Sequence, residues 1–202
     1  LIRSDNIQVK NSDLDNKDVI VAFESDNILF KNVNSSNMIY GYNIYSGSSV
    51  TLDGCRAYNN DNYGIYMYNI ANAKINNTQS DYNNDGLYIS SCPNVIITGL
   101  TVNDNWHGVS IYSCNFVSLK DCTFFNNQYA SLYVEGWNHD NFDWTVSNVQ
   151  VDHLPMIYFK NQDDFVITGL NAGFLMLYNC VNVTVSSNDL SWRSGACFGY
   201  IY

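Results

Sequence analysis

The stretch GLYISSCPNVIITGLTVNDNWHGVSIYSCNFVSLKDCTF, residues 86–124, decides the fold of this chain. Its second half repeats the pattern of its first half at a distance of 22 residues. A repeat of this length indicates stacked supersecondary units, because a single unit cannot bury its own apolar face. The matched positions are Gly86 with Gly108, Cys92 with Cys114, Val95 with Val117, Ile97 with Leu119 and Val102 with Phe124.

The same unit recurs along the whole chain of 202 residues. An apolar marker begins each copy and has an apolar partner two residues later, so both side chains point to one face of a strand. Asn or Gly, which tolerate a bend, often follow two positions further on. A polar stretch and a second short strand complete the copy. The markers are Ile7, Ile28, Val50, Ala73, Val95, Val117, Trp144, Phe165 and Val183.

Two short strands and tight turns in each copy predict an all-β chain, since no segment shows the apolar period of a helix. We expect a single-stranded parallel β-helix, or β-solenoid, of about nine coils with about 22 residues in each. It would form one domain over residues 1–202. A leucine-rich repeat has a similar period and is the alternative fold, but its Leu-x-x-Leu-x-Leu frame is missing.

The composition predicts a folded, exported protein. The 19 acidic and 9 basic residues give a net charge of −10, which argues against nucleic acid or an anionic membrane as a partner. The chain contains no apolar run long enough to span a membrane. Six cysteines favour an extracellular location. Candidate glycosylation positions, from Asn-x-Ser/Thr sequons, are Asn34, Asn76 and Asn182.

Two consecutive repeats carry a family resemblance. SCPNVIITGLTVNDNWHGVSIY, residues 91–112, and SCNFVSLKDCTFFNNQYASLYV, residues 113–134, resemble the right-handed parallel β-helix repeat family. That family includes NosD-like surface proteins and pectate-lyase-like carbohydrate enzymes. The resemblance extends over essentially the whole chain and implies a right-handed solenoid. It concerns the fold and implies no particular activity.

Stacked coils place equivalent residues about 4.8 Å apart, so polar and aromatic side chains are expected to form ladders. The outward tyrosines of the second strand are either a half-exposed face or a contact surface for partners or sugars. Their slot holds Tyr66, Tyr88, Tyr133 and Tyr158 and is interrupted by Ser110. Amide ladders are expected at the turns from Asn59 and Asn60, Asn83 and Asn84, Asn103 and Asn105, and Asn126 and Asn127.

The cysteines fall into two groups. Cys92, Cys114 and Cys180 share one turn slot, and Cys92 and Cys114 lie on adjacent coils, where a disulfide can form. Cys197 follows Cys180 by about one coil, so it is a candidate to pair with Cys180 or with another molecule. Two further cysteines, Cys55 and Cys122, share an inward slot three coils apart and are expected to be small buried thiols.

No coherent catalytic set is visible. His107 and Gly108 resemble part of a polygalacturonase site, but the acidic pair is in the wrong order and the basic residues of such a site are missing. We therefore expect a protein that is not an enzyme and needs no cofactor. Calcium is a weak possibility through carboxylates and carbonyls of the turns. Its candidate ligands are Asp61, Asp81, Asp85 and Asp104.

The leading functional hypothesis is a structural protein that assembles with itself at the cell surface, as in a sheath, surface layer or filament. A solenoid normally needs polar caps, and neither the beginning nor the end of the sequence resembles one. By type, such a protein resembles the β-rich sheath proteins of filamentous archaea. The alternatives are a carbohydrate-active or carbohydrate-binding β-helix, tested at His107 or Asp104, and a NosD-like accessory protein that would bind copper.

Overall fold

The computed structural model describes residues 4–15 and 20–190, together with the backbone of residues 196–201. It is all-β, with 66% of the described residues in strands, and forms a parallel β-solenoid of about eight turns. The strands are β1 (Gln8–Asp15), β2 (Ile20–Phe23), β3 (Asp26–Ser36), β4 (Tyr42–Asp53), β5 (Arg56–Tyr58), β6 (Tyr63–Ile70), β7 (Ala73–Asn76), β8 (Gln79–Asp81), β9 (Asp85–Ser90), β10 (Val95–Thr98), β11 (Thr101–Asn103), β12 (His107–Tyr112), β13 (Ser118–Phe125), β14 (Ala130–Glu135), β15 (Thr145–Val151), β16 (Leu154–Lys160), β17 (Asp163–Thr168), β18 (Phe174–Ser186) and β19 (Ala196–Ile201).

Each coil of the first three quarters of the chain contributes to three parallel sheets. The first sheet contains β2, the start of β4, β6, β9, β12 and β14. The second sheet contains the start of β1, the start of β3, the end of β4, β7, β10, the start of β13 and the start of β15. The third sheet contains the end of β3, β5, β8, β11 and the end of β13. Long strands such as β3 and β13 therefore bend from the second sheet into the third.

That bend occurs at the Asn and Gly slot of the repeat. The residue at each bend has a positive φ, a conformation that Gly adopts freely and Asn tolerates better than most residues. The backbone angle therefore explains why the repeat places these residue types there. The bend residues are Asn11, Asn32, Gly54, Asn77, Gly99, Asp121 and Asn148.

The core is a set of aliphatic columns between the sheets. In the second sheet the apolar partners of the markers stack directly, with Ile97 paired to Ile75 on one side and to Leu119 on the other. All three side chains are fully buried. Because fully burying such a side chain contributes about 1.5–3 kcal/mol, the columns account for most of the driving force for folding. The predicted parallel β-solenoid is confirmed.

A column of buried asparagines stands where the third sheet turns into the first. The side-chain amide of Asn60 donates to Oδ1 of Asn83 at 2.8 Å, that of Asn83 to Asn105 at 3.1 Å, and that of Asn105 to Asn127 at 3.0 Å. Each Oδ1 also accepts a main-chain N–H from the preceding coil, as Asn105 does from Asn83 at 2.8 Å. The ladder thus satisfies buried polar groups that the turn would otherwise leave unpaired.

The regular winding is interrupted after β14. Residues 136–144 hold a 3₁₀-helix (His139–Phe142), which explains the longer spacing of 27 residues before the marker Trp144. Further on, β15 and β16 form an antiparallel hairpin in which Val151 pairs with Leu154. The two turn residues, Asp152 and His153, have φ of 49° and 66°, as a tight hairpin turn requires.

The remaining strands form a second stack. Strand β16 pairs in parallel with β18, and β18 pairs with β17 and with the backbone of β19. The hairpin replaces part of one coil, so the structure has about eight turns where the marker spacing predicts about nine. Met156, Phe174 and Met176 pack into the same apolar cluster as the first stack, so the core continues across the interruption.

Candidate functional site

A groove lined by tyrosines runs across the outer face of the first sheet. We call it the tyrosine groove and define it by Tyr40, Tyr63, Tyr66, Tyr88, Tyr112 and Tyr133. The rings of Tyr66 and Tyr88 stack at 5.3 Å between centroids with an interplanar angle of 6°. The contacts continue from Tyr88 to Tyr112 at 5.0 Å and from Tyr112 to Tyr133 at 5.3 Å. At the other end, Tyr40 stacks on Tyr63 at 5.6 Å.

Two cavities lie along the tyrosine groove. One of about 400 Å³ is lined by Tyr40, Tyr63 and Tyr66, among others, and one of about 380 Å³ by Tyr63, Tyr88 and Tyr133, among others. Each is within the range of about 300–1,000 Å³ that is usual for ligand sites. They share Tyr63, so they form two parts of one surface.

A small residue, Ser110, lines the second cavity. It pairs with Tyr88 on one side and Tyr133 on the other, in the column that holds a tyrosine on β6, β9 and β14. The small side chain is 5% exposed and lines the cavity. Since the stacked pair one coil earlier has its ring centroids 5.3 Å apart, a tyrosine at position 110 would fill this space. The ring of Tyr112 reaches into this gap, with its centroid 5.0 Å from that of Tyr88 and 5.3 Å from that of Tyr133, so the gap and Tyr112 together shape the cavity.

A carboxylate and an imidazole lie side by side in this cavity. Asp85 and His107 are paired between β9 and β12, and the Nδ1 atom of His107 is 3.2 Å from Oδ1 of Asp85. The two atoms do not meet the geometry of a hydrogen bond, and no described residue supplies another partner for this buried Nδ1. Burial raises the pKa of the Asp85 carboxyl, and the nearby His107 partly offsets that rise. Tyr129 packs edge-on against the imidazole at 5.1 Å.

Three phenols of the groove, those of Tyr63, Tyr66 and Tyr112, are neutral at physiological pH. Burial, followed by the charge of Asp85, raises the pKa of Tyr63 to about 12. Burial and the neighbouring Tyr133 raise the pKa of Tyr112 to about 12. The pKa of Tyr66 is also raised, first by burial and then by Tyr88. A neutral phenol can both donate and accept a hydrogen bond, so the groove offers ring faces together with hydroxyl groups.

Three of the four tyrosines assigned to one slot from the sequence lie in one column of the structure, and their role as a contact face stays a prediction. Tyr66, Tyr88 and Tyr133 lie together on the first sheet. Tyr158 does not, because the hairpin separates β16 from β14, and its hydroxyl donates to the carbonyl of Phe142 at 2.7 Å beneath the 3₁₀-helix. The sequence places Tyr112 in a neighbouring outward slot together with Tyr68, and it does not identify Tyr63. Tyr63 lies three residues before Tyr66 on the same strand, which is the signal that could have identified it.

The calcium candidates do not converge. Asp81 accepts the main-chain N–H of Asn103 at 3.1 Å, Asp85 faces His107, Asp104 interacts with Tyr82, and Asp61 is exposed. Among the residues that the structure describes, no group of three or more His, Cys, Asp or Glu side chains could hold a metal ion. Calcium binding stays a prediction without structural support.

Predicted disulfides are not formed among the cysteines whose side chains are described. All five are buried free thiols. Cys92 and Cys114 do occupy one slot, but each thiol points to main-chain carbonyls, at 3.2 Å to Ser90 and 3.4 Å to Tyr112. The hydrogen bond with Cys92, together with burial, raises the pKa of the Cys114 thiol.

The remaining cysteines follow the same pattern. Burial raises the pKa of Cys55 and of Cys122, and the thiol of Cys180 approaches the carbonyl of Tyr178 at 3.3 Å. The side chain of Cys197 lies outside the described residues. Its backbone pairs with Met176, four residues away from Cys180, which does not favour a bond between those two cysteines.

The three sequons differ in accessibility. Asn34 and Asn182 are exposed, and each donates its amide to an aspartate on the preceding coil, at 2.6 Å to Asp13 and 2.7 Å to Asp164. Asn76 is half-buried, and the Thr78 of its sequon is fully buried. Glycosylation of any of them stays a prediction.

No helix among the described residues is both long and apolar enough to cross a membrane. Comparison with the curated proteins found no match, and comparison with the solved structures found none. A comparison with protein families matches residues 1–151 to the family described as right-handed β-helix region. The match extends over three quarters of the chain, and its coils are those that build the tyrosine groove. The chain therefore belongs to the right-handed β-helix family.

Proposed function

We propose that this protein binds a polysaccharide in the tyrosine groove and does so outside the cell. The observation that carries the proposal is the cavity of about 380 Å³ at the gap in the tyrosine column, which is lined by aromatic rings together with Ser110, Asp85 and His107. Sugar rings present an apolar face edged by hydroxyl groups. A surface of ring faces with neutral phenols, one carboxylate and one imidazole matches both parts of that chemistry.

The proposal is binding without turnover. Hydrolysis of a glycosidic bond normally uses two carboxyl groups on either side of the bond. Asp85 lines the cavity, while the carboxylate of Glu135 accepts a hydrogen bond from the hydroxyl of Tyr133 at 2.8 Å. Asp85 is the one carboxylate among the residues that line the cavity, and Glu135 does not line it. We therefore expect no release of reducing ends from any polysaccharide that the protein binds.

Substitution of Ser110 provides the direct test. In Ser110→Tyr the new ring would occupy the cavity, and affinity for a bound oligosaccharide should fall at least tenfold, which corresponds to about 1.4 kcal/mol. Binding is measured by isothermal titration calorimetry against a panel of soluble polysaccharides. Tyr82→Ala is the matched control, because Tyr82 is an exposed tyrosine that does not line the groove. Unchanged affinity in Ser110→Tyr, with thermal stability preserved, would refute the proposal.

A second candidate is a subunit that assembles with itself into a surface layer, sheath or filament. Exposed apolar side chains on the second stack favour it, since Val166, Val181 and Val185 are 65%, 41% and 37% exposed. The sequence argument depended on the two ends of the chain, 1–2 and 197–202, of which residues 1–2 and 202 and the side chains of 197–201 lie outside the described residues. Sedimentation velocity of the protein and of Val166→Asp tests this candidate. A monomer at all concentrations would eliminate it.

A further inference from the structure

We infer that the ligand of the tyrosine groove is a linear polysaccharide without acidic groups, lying parallel to the solenoid axis with about one sugar ring on each coil. This inference rests on the proposed function and specifies its ligand. Two independent observations carry it, namely the distribution of charge over the three sheets and the direction in which the tyrosines follow one another.

Charge is distributed unequally around the solenoid. Each described lysine or arginine of the first stack lies on the second or third sheet, and none lies on the first. Some of these cations already have partners. Lys31 forms an ion pair with Asp53 at 3.2 Å, and the guanidinium of Arg56 lies 4.4 Å from the ring centroid of Tyr58. The basic residues of the described first stack are Lys10, Lys31, Arg56, Lys74 and Lys120.

The first sheet instead carries carboxylates. Asp85 lines the groove, Glu135 lies at the end of β14, and His107 faces Asp85. A polyuronate or a sulfated glycan would bring further negative charge next to these groups without a described lysine or arginine on that sheet to neutralise it. The acidic groups of such a glycan and the carboxylates of the first sheet would repel each other, and the net charge of −10 adds to this repulsion. The groove therefore favours hydroxyl, acetamido or amino substituents.

The tyrosines follow one another from coil to coil and not along a single strand. Tyr66 and Tyr88 occupy equivalent positions on β6 and β9, and Tyr133 occupies the same position on β14. The two cavities extend in the same direction and share Tyr63. An extended chain that used both cavities would cross the strands and run parallel to the axis.

The spacing between coils also sets the length of oligosaccharide that the groove can hold. Tyr40 and Tyr133, the first and last tyrosines of the groove in sequence, lie on coils that are four steps apart. At about 4.8 Å per step the distance is about 19 Å. One step is close to the length of one pyranose ring in an extended β-1,4-linked chain. About five rings therefore span the groove.

The experiment compares three series of oligosaccharides, each from two to about seven rings. The probes are β-1,4-linked glucose, β-1,4-linked N-acetylglucosamine and α-1,4-linked galacturonate, titrated against the full chain at low salt. We expect affinity for at least one of the first two series to rise up to about five rings and then level off. The galacturonates should bind at least tenfold more weakly, and added salt should narrow the gap because it screens charge.

A double variant tests the charge argument separately. In Asp85→Asn with Glu135→Gln, the ratio of the affinity for galacturonates to the affinity for neutral oligosaccharides should rise about threefold. Tyr82→Ala should leave that ratio unchanged. Galacturonates that bind the unaltered protein as tightly as neutral oligomers would overturn the charge argument, and affinity that levels off at two rings would overturn the axial orientation. If no oligomer or polysaccharide binds at all, the proposed function itself fails.

Discussion

At the scale of single residues, the buried asparagines set the stability of the turn between the third and first sheets. Asn105 is 1% exposed, and its amide group makes hydrogen bonds in both directions along the ladder. Its Nδ2 atom also donates to the carbonyl of Ser80 at 3.0 Å. Replacing such a residue removes partners from several buried groups at once, and buried groups without partners are costly.

Substitution of Asn105 by alanine should therefore be strongly destabilising. The main-chain N–H and the amide of Asn83 would both lose their acceptor. We expect the free energy of unfolding, measured by urea denaturation, to fall by about 2–4 kcal/mol. Asn84→Ala, at an exposed neighbouring position, should change it by less than about 0.5 kcal/mol. Equal effects of the two substitutions would show that the ladder contributes no more than surface asparagines do.

At the scale of elements, the sequence predicts the coils well because each position of the repeat holds the same kind of residue in most copies. The apolar markers pair in the register that their spacing requires, with Val95 opposite Ala73 in the second sheet and Phe165 opposite Val183 in the second stack. The groove was only partly predictable. A cavity depends on the sizes of side chains on three neighbouring coils. The small side chain of Ser110 indicates a gap only when Tyr88 and Tyr133 are known to flank it.

The tyrosines of the first sheet predict instability at alkaline pH. Tyr63 and Tyr112 have pKa values of about 12 in the folded protein, above the ordinary value of 10.0. Between these values the unfolded chain releases protons that the folded chain retains, so the free energy of unfolding decreases as pH rises. The stabilisation is complete below pH 10 and disappears as pH passes about 12.

Thermal unfolding between pH 9 and pH 11.5 measures this effect, and Tm should fall steadily above about pH 10. The double variant Tyr63→Phe with Tyr112→Phe lacks both phenols, so its Tm should fall less steeply over the same range. Tyr129→Phe, at a ring that is 65% exposed, is the control and should follow the unaltered protein. Parallel curves for all three proteins would mean that other groups determine the alkaline limit.

At the scale of the whole molecule, the junction between the two stacks is the feature that periodicity could not reveal. The repeat places Pro155 in the slot that Gly86 and Gly108 occupy in earlier coils, which implies continuous winding. Instead the chain reverses at Asp152 and His153, two residues with positive φ. Asp-His is not the Asn-Gly or Asp-Gly pair that usually marks such a turn, so the local sequence gives little warning.

The junction is tightest at Gly173. A Cβ atom there would lie 1.7 Å from the carbonyl oxygen of Val151 and 3.1 Å from that of Leu154, both backbone atoms that cannot move aside alone. The N–H of Gly173 also donates to the carbonyl of Pro155 at 3.1 Å, which holds the second stack against the hairpin. The absence of a side chain is therefore what allows the second stack to dock on the first.

Gly173→Ala should separate the stacks locally and lower the free energy of unfolding by about 2–4 kcal/mol. Hydrogen exchange should locate the loss of protection in β16 and β18, while β9, β10 and β12 stay protected, because the first stack does not depend on the new contact. Ala172→Ser, at the preceding buried position, controls for a small change in volume. If Gly173→Ala unfolds with the stability of the unaltered protein, or if protection falls equally in both stacks, docking at this glycine does not limit stability.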